Sequence, residues 1–160
     1  VVFMDFDKTL LETRGFGHYE PLQLSNLPPL YIAYRTDLSE GSEVFHNNIR
    51  DRFNRGEKEV VDAMNFWADI TVQARTALAE GDWSTLAALM DANFDRRRQI
   101  FKLSEGNLRM VETAREVGAS AKFTGSGGAI IGTYTDDAMY ERLAKAFAPQ
   151  NIRVLKPVIV

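Results

Sequence analysis

The chain has 160 residues and a mass of 18.0 kDa, room for one domain, or one domain with part of another. That length buries about two-thirds of the unfolded surface without a disulfide or metal staple. It holds no cysteine, which excludes thiolate nucleophiles, thiolate zinc sites and disulfides and fits a reducing cytoplasm. Its two histidines, His18 and His46, are too few for a histidine-rich metal centre. A formal charge of −3 and a pI near 5.4 argue against nucleic acid as a partner, in spite of Arg96, Arg97 and Arg98 in a row. No apolar run approaches membrane-spanning length, so no membrane partner is expected.

The opening "VVFMDF" reads as a strand, because β-branched and aromatic residues cluster there with no turn former among them. It starts without Met and without a basic-then-apolar leader, and the expectation is a chain cut from something longer. "RGFGHYEP" reads as a loop. "PPLYIAYR" is a second strand, with prolines at its start where no ladder hydrogen bond is lost. Phe45, Ile49 and Phe53 then recur at four-residue spacing, one face of a helix that Gly56 stops. A longer helix carries Val60, Met64, Trp67, Ala68, Ala74 and Leu78 on one stripe and ends at Gly81. Asp82 caps the next, "WSTLAALMDANFDRRRQIF", and Ser104 caps a fourth, with Leu108, Val111 and Ala114 facing inward as far as Gly118. "SAKFT", the turn "GSGG" and "AIIGTY" read as strand, turn and strand. Asp136 caps a last helix carrying Met139, Leu143 and Phe147, and "IRVLKPVIV" closes as a strand. Runs of helices between strands predict an α+β fold, with helices segregated from an antiparallel sheet.

Three places invite chemistry. Asp5-x-Asp7-x-Thr9 after a strand has the form of an aspartyl-phosphatase opening, with Asp5 as nucleophile and Asp7 as proton donor. That chemistry also needs a parallel sheet, a distant lysine and acids around Mg²⁺, roles open to Lys122, Asp136 and Asp137. Four helices in succession stand where strand-helix units are required, and the plain alternative is a strand ending in a charged turn. The second place is Arg97. At about 100° per residue, Leu86, Leu89, Met90, Phe94, Ile100 and Phe101 form one broad face; Arg97 falls near its middle, with Asn93 one turn before. An unpaired buried guanidinium is costly, so Arg97 snorkels outward, meets a carboxylate other than the opposed Asp95, or faces a cavity that holds an anion. Arg96 and Arg98 read as solvated charges, and Trp67 and Trp83 as packing. His18 and Tyr19 sit in a loop that could lie against a ligand.

The third place is "AKFTGSGGAIIG". Its glycines let successive backbone N–H groups approach an anion without obstruction. The loop is neither a Walker A motif, which ends Gly-Lys-Ser/Thr, nor a dinucleotide fingerprint, since a strand follows it. Alone, such a turn is more often a permissive hairpin.

The whole stretch, however, resembles the third motif of the GHMP small-molecule kinases. Further blocks resemble the glucuronokinases of that family: "VVFMDF", "YEPLQLSNLPPLYIAY", "VFHNNIRDRF", "NFDRRRQIF" and "AREVGASAKFTGSGGA", spanning nearly the whole chain. The resemblance implies the family's C-terminal domain, a ferredoxin-like four-stranded antiparallel sheet with packed helices, over residues 28–160. Residues 1–27 are then strands from the end of the N-terminal domain.

It implies a cytoplasmic ATP-dependent kinase that phosphorylates the anomeric hydroxyl of glucuronate or a related sugar. Thr124, Gly125, Ser126, Gly127 and Gly128 would lie near the ATP phosphates, and Asn93 and Arg97 near the substrate. The family's Pro-x-x-x-Gly-x-Gly-Ser-Ser-Ala motif and its catalytic Asp are absent from these residues. The expectation is therefore no catalytic residue here, ATP and Mg²⁺ held mainly by a missing N-terminal domain, and no turnover by this fragment alone. Two other classes stay open: an Asp5-based Mg²⁺ phosphatase and a non-catalytic α+β ligand-binding module.

Overall fold

A computed structural model describes residues 1–22, 27–38 and 49–158. Two sheets organise them. Strands β1 (Val2–Asp5) and β2 (His18–Pro21) make an antiparallel pair with Met4 opposite Tyr19. A four-stranded antiparallel sheet is built from β3 (Leu30–Tyr34), β4 (Lys122–Phe123), β5 (Ala129–Thr133) and β6 (Arg153–Leu155), in the order β4-β5-β3-β6. With helices between β3 and β4 and between β5 and β6, this is the ferredoxin-like order. The α+β class, the antiparallel sheet and its helices therefore stand as the sequence predicts.

The described helices are α1 (Lys8–Arg14), α2, described over 49–54, α3 (Lys58–Glu80), α4 (Trp83–Ile100), α5 (Glu105–Glu116) and α6 (Asp137–Phe147). The core lies between the sheet and helices α4 to α6. Phe123, Ile130 and Ala33 occupy one cross-strand row of the covered face, against Phe94, Met110, Val111, Ala114, Leu143 and Phe147. Phe94 and Phe123 meet edge to face with centroids 5.1 Å apart, a geometry worth about 1 kcal/mol beyond the buried area. A second cluster joins α2, α3 and α4 through Ile49, Val60, Ala63 and Ile100.

Three expectations need correction. "RGFGHYEP" is not a loop throughout: α1 runs to Arg14, and His18–Pro21 is a strand. No residue of α1 is buried, so hydrophobic periodicity could not reveal it. What starts it is Asp7, whose Oδ1 accepts the N–H groups of Thr9 and Leu10. The buried residues of α3 are Val60, Ala63, Ile70 and Ala77, whereas Ala68 is exposed. The strands read from "SAKFT" and "IRVLKPVIV" shrink to two and three residues. Phe45 and His46 lie outside the described residues.

The β1–β2 pair touches α3 through one face. Arg75 stacks on Phe3, 4.9 Å from its ring centroid, and donates to Glu20 at 2.7 Å. Val2, Met4 and Tyr19 on the opposite face are exposed.

Asp82 caps α4 as expected. Its Oδ1 accepts from Thr85 N–H at 3.0 Å, and its carboxylate also takes the hydroxyls of Ser84 and Thr85. Those bonds, Thr85's first, hold its pKa down to about 2. A carboxyl depressed in the fold contributes stability that is present above its ordinary pKa and is lost as pH falls through the folded value. Between about pH 4 and pH 2, thermal unfolding of Asp82→Asn is therefore expected to fall less steeply than that of the parent chain. Parallel melting curves across that window would expose an inert cap.

Candidate functional site

The glycine turn links β4 to β5 at one end of the sheet. Its base is closed by Thr124 N–H donating to Ala129 O at 3.2 Å. Thr124 and Gly125 are exposed, Ser126 and Gly127 half-buried, and Gly128 buried. The glycines are there for different reasons. Gly127 (φ 144) and Gly128 (φ 75) adopt conformations that L side chains rarely tolerate. Gly125 has no such φ, and a Cβ built on it would meet nothing within 4 Å. Nothing in the described fold asks for glycine at 125, so its bare backbone is open to close approach from outside.

The inner side of the turn is held by Asn107, from the first turn of α5. Its Oδ1 accepts the Gly128 N–H at 2.7 Å; its Nδ2 donates to Ser104 Oγ at 3.0 Å and to Leu38 O at 3.3 Å. Ser104 occupies the expected N-cap position, but its side chain takes no backbone N–H and serves Asn107 instead. Gly128 O in turn accepts Arg35 N–H at 2.8 Å. Both backbone groups of Gly128 are thus engaged inside the protein.

Sequence reasoning missed Asn107, and a signal for it existed. Asn107, Met110, Val111 and Ala114 follow the spacing of one helix face, and all four are buried. A polar residue inside an apolar stripe is the same anomaly that singles out Arg97.

Arg97 lies beside the strand that enters the turn. Its guanidinium carbon is 5.1 Å from the centroid of Phe123 and 5.2 Å from that of Phe101, within range of cation–π attraction. Lys122, next to Phe123, is half-buried and donates from Nζ to Phe123 O at 2.9 Å. Burial, and then the charge of Arg97, lower its pKa. Two cations therefore share one aromatic residue at the edge strand, directly ahead of Thr124. Asn93 is half-buried one turn before Arg97, and its carbonyl accepts Trp67 Nε1–H at 3.2 Å. That contact faces α3, and no described contact joins Asn93 to the turn.

The remaining arginines of the row differ. Arg98 is exposed, with Glu112 at 3.9 Å. Arg96 is half-buried and bridges Gln99 Oε1 and Glu59 O, so it is less solvated than expected. Asp95 pairs with Arg115 at 2.7 Å, away from Arg97.

The residues of the phosphatase reading do not assemble. Among the described residues β1 pairs only with β2, and antiparallel. Asp5 accepts the Asp7 N–H, Asp7 caps α1, Asp136 caps α6 and Asp137 pairs with Lys156. His18 stands opposite Asp5 in the ladder, and Tyr19 meets Phe6 edge-on at 5.8 Å. No group of three or more His, Cys, Asp or Glu among the described residues could hold a metal ion. No helix among them is long and apolar enough to cross a membrane.

Comparison with known proteins agrees with the fold. Residues 74–149 match the family described as GHMP kinases C terminal. Glucuronokinase 1 of Arabidopsis thaliana is 41% identical over 134 residues, which are 82% of this chain and 37% of that protein. The chain thus spans little more than a third of that relative. Among solved structures, L. major mevalonate kinase, determined with R-mevalonate, superposes with a TM-score of 0.78 at 22% identity, covering 92% of this chain and 48% of that one. Phosphomevalonate kinase of Streptococcus pneumoniae gives 0.73 at 16% identity over 94% and 46%. Residues 74–149, which include the glycine turn, Asn107 and Arg97, belong to the GHMP kinases as a C-terminal domain of that family.

Proposed function

We propose that these residues are the C-terminal part of a cytoplasmic, ATP-dependent sugar-acid kinase that phosphorylates the anomeric hydroxyl of glucuronate or a close relative. Residues 28–160 form its C-terminal domain, and residues 1–27 belong to the end of the domain before it. The exposed apolar face of Val2, Met4 and Tyr19 supports that division, since it suits burial against the rest of that preceding domain. In the reaction the anomeric oxygen attacks the γ-phosphorus, the bond to ADP breaks and the hydroxyl proton passes to a base. The base and most of the ATP cradle belong to the rest of the full polypeptide, as do the protein ligands of Mg²⁺.

The observation that carries this reading is Gly125. A glycine that its own fold does not require, at the exposed tip of a turn, suits a backbone that a phosphate must approach closely. Phosphoryl transfer needs little covalent help from protein and much positioning and charge, which is what a glycine turn beside two cations supplies. Arg97 suits a uronate carboxylate, because a planar guanidinium can grip it through two parallel hydrogen bonds. Lys122 adds a second charge, and Asn93 extends the same helix edge toward the sugar.

The 160-residue chain incubated with Mg-ATP and glucuronate is expected to yield no sugar phosphate; clear turnover would overturn the division of labour. In the full polypeptide, Gly125→Val is expected to lower turnover by about two orders of magnitude, while stability changes by less than about 0.5 kcal/mol. Retained activity in that variant would remove the turn from the reaction. Arg97→Met keeps the packing of the stem and removes the charge. It is expected to weaken use of glucuronate by roughly 1.5–3 kcal/mol and to spare a neutral sugar. Equal losses on both sugars would assign Arg97 to packing alone.

A further inference from the structure

We propose that Asn107 is a positioning residue: it fixes the conformation of the glycine turn by taking the Gly128 N–H. The inference rests on the reading that this turn faces the phosphates. Asn107 is 1% exposed, so each of its polar ends must be satisfied inside the protein. Its carbonyl oxygen serves the Gly128 N–H, and its amide nitrogen serves Ser104 Oγ and Leu38 O. The opposite assignment of oxygen and nitrogen would set an NH₂ group against the Gly128 N–H and an oxygen against the Leu38 carbonyl, so the partners fix the orientation.

One side chain thereby joins three separate segments: the chain after β3, the start of α5 and the exit of the turn. The turn is also pressed onto it, since a Cβ on Gly127 would stand 2.7 Å from Asn107 Nδ2. The glycines at 127 and 128 let the backbone take this path, and Asn107 selects it. With its N–H turned inward, Gly128 contributes shape, and the outer residues of the turn are left to meet a phosphate.

A residue that merely filled the core would alter stability and nothing else, so the test reads the turn itself. Asn107→Leu removes both hydrogen-bonding ends and keeps the branched shape, and Asn107→Asp keeps an oxygen for the Gly128 N–H. In the 160-residue chain, hydrogen exchange at the Gly128 amide is expected to be at least about tenfold faster in the Leu variant and near the parent value in the Asp variant, since that amide is held by one buried acceptor. Asn107→Ala, with room for a water, repeats the measurement should the Leu variant not fold.

In the full polypeptide with Mg-ATP and glucuronate, Asn107→Leu is expected to lower kcat by about 10- to 100-fold with the KM for glucuronate nearly unchanged, and Asn107→Asp to recover most of the loss. Unchanged Gly128 exchange in the Leu and Ala variants overturns the inference, as does a kcat equal to the parent's. Gly125→Val separates the two readings. Full turnover in that variant refutes the placement of the turn at the phosphates. Its loss, together with an undisturbed Asn107→Leu enzyme, refutes the role of Asn107 alone.

Discussion

Ser120 is where the C-terminal sheet is locked together. It follows α5 and precedes β4, and β3 and β5 both close on it. Tyr31 of β3 donates its hydroxyl to the Ser120 carbonyl at 2.8 Å, a bond made where burial, and secondarily Asp91, push the phenol's pKa up. Thr133 of β5 donates its N–H to Ser120 Oγ at 2.8 Å and accepts the Ser120 N–H at 3.1 Å. Between them lies Gly132, where any Cβ would fall inside the Ser120 carbonyl group. The strands can approach this closely only because that side chain is missing, and the close approach leaves no freedom in the register of β4 against β5. The position of the glycine turn at the far end follows from that register.

A charged cluster next to this lock sets the helices over the sheet. Arg115 of α5 reaches Asp95 at 2.7 Å and Asp91 at 3.1 Å, both on α4, and its guanidinium lies 5.3 Å from the ring of Phe94. Asp91 also accepts the Ala121 N–H at 2.8 Å. Burial raises the Asp91 pKa, while Ala121 and Arg115 pull it back. Such partly buried pairs return little net stability after desolvation, but removing one partner strands the other. Their consequence here is geometric: α4, α5 and the first residue before β4 must keep one mutual arrangement, and that arrangement lays Arg97 against Phe123.

The parts of this architecture that sequence reveals are those governed by burial and by caps. Asp82 and Asp136 announce α4 and α6 because each carboxylate takes a backbone N–H of the first turn. The stripe of α3 shows how the reasoning drifts. Steps of four residues advance 400° and slip about 40° each time, whereas the buried set steps by three or by seven from Val60 through Ala63 and Ile70 to Ala77. β2 was illegible for another reason. Three of its four residues are exposed, and pairing with β1, a non-local event, decides its conformation. At the site, the glycine-rich turn is plain in the sequence. The differing duties of its glycines depend on dihedral angles and neighbours that composition does not carry.

The turn is clamped at both ends. At its exit the Gly128 N–H and carbonyl are both engaged, by Asn107 and Arg35; at its entry Phe123 is wedged between Phe94 and Arg97. A strip of backbone fixed at two supports behaves as a short bridge whose sag is limited by its span. Between the supports lie only Thr124 to Gly127, a span with room for small excursions rather than slow, sweeping ones. A phosphate meeting the turn there, as proposed, would find the same shape at each arrival, without a folding step between one occupant and the next.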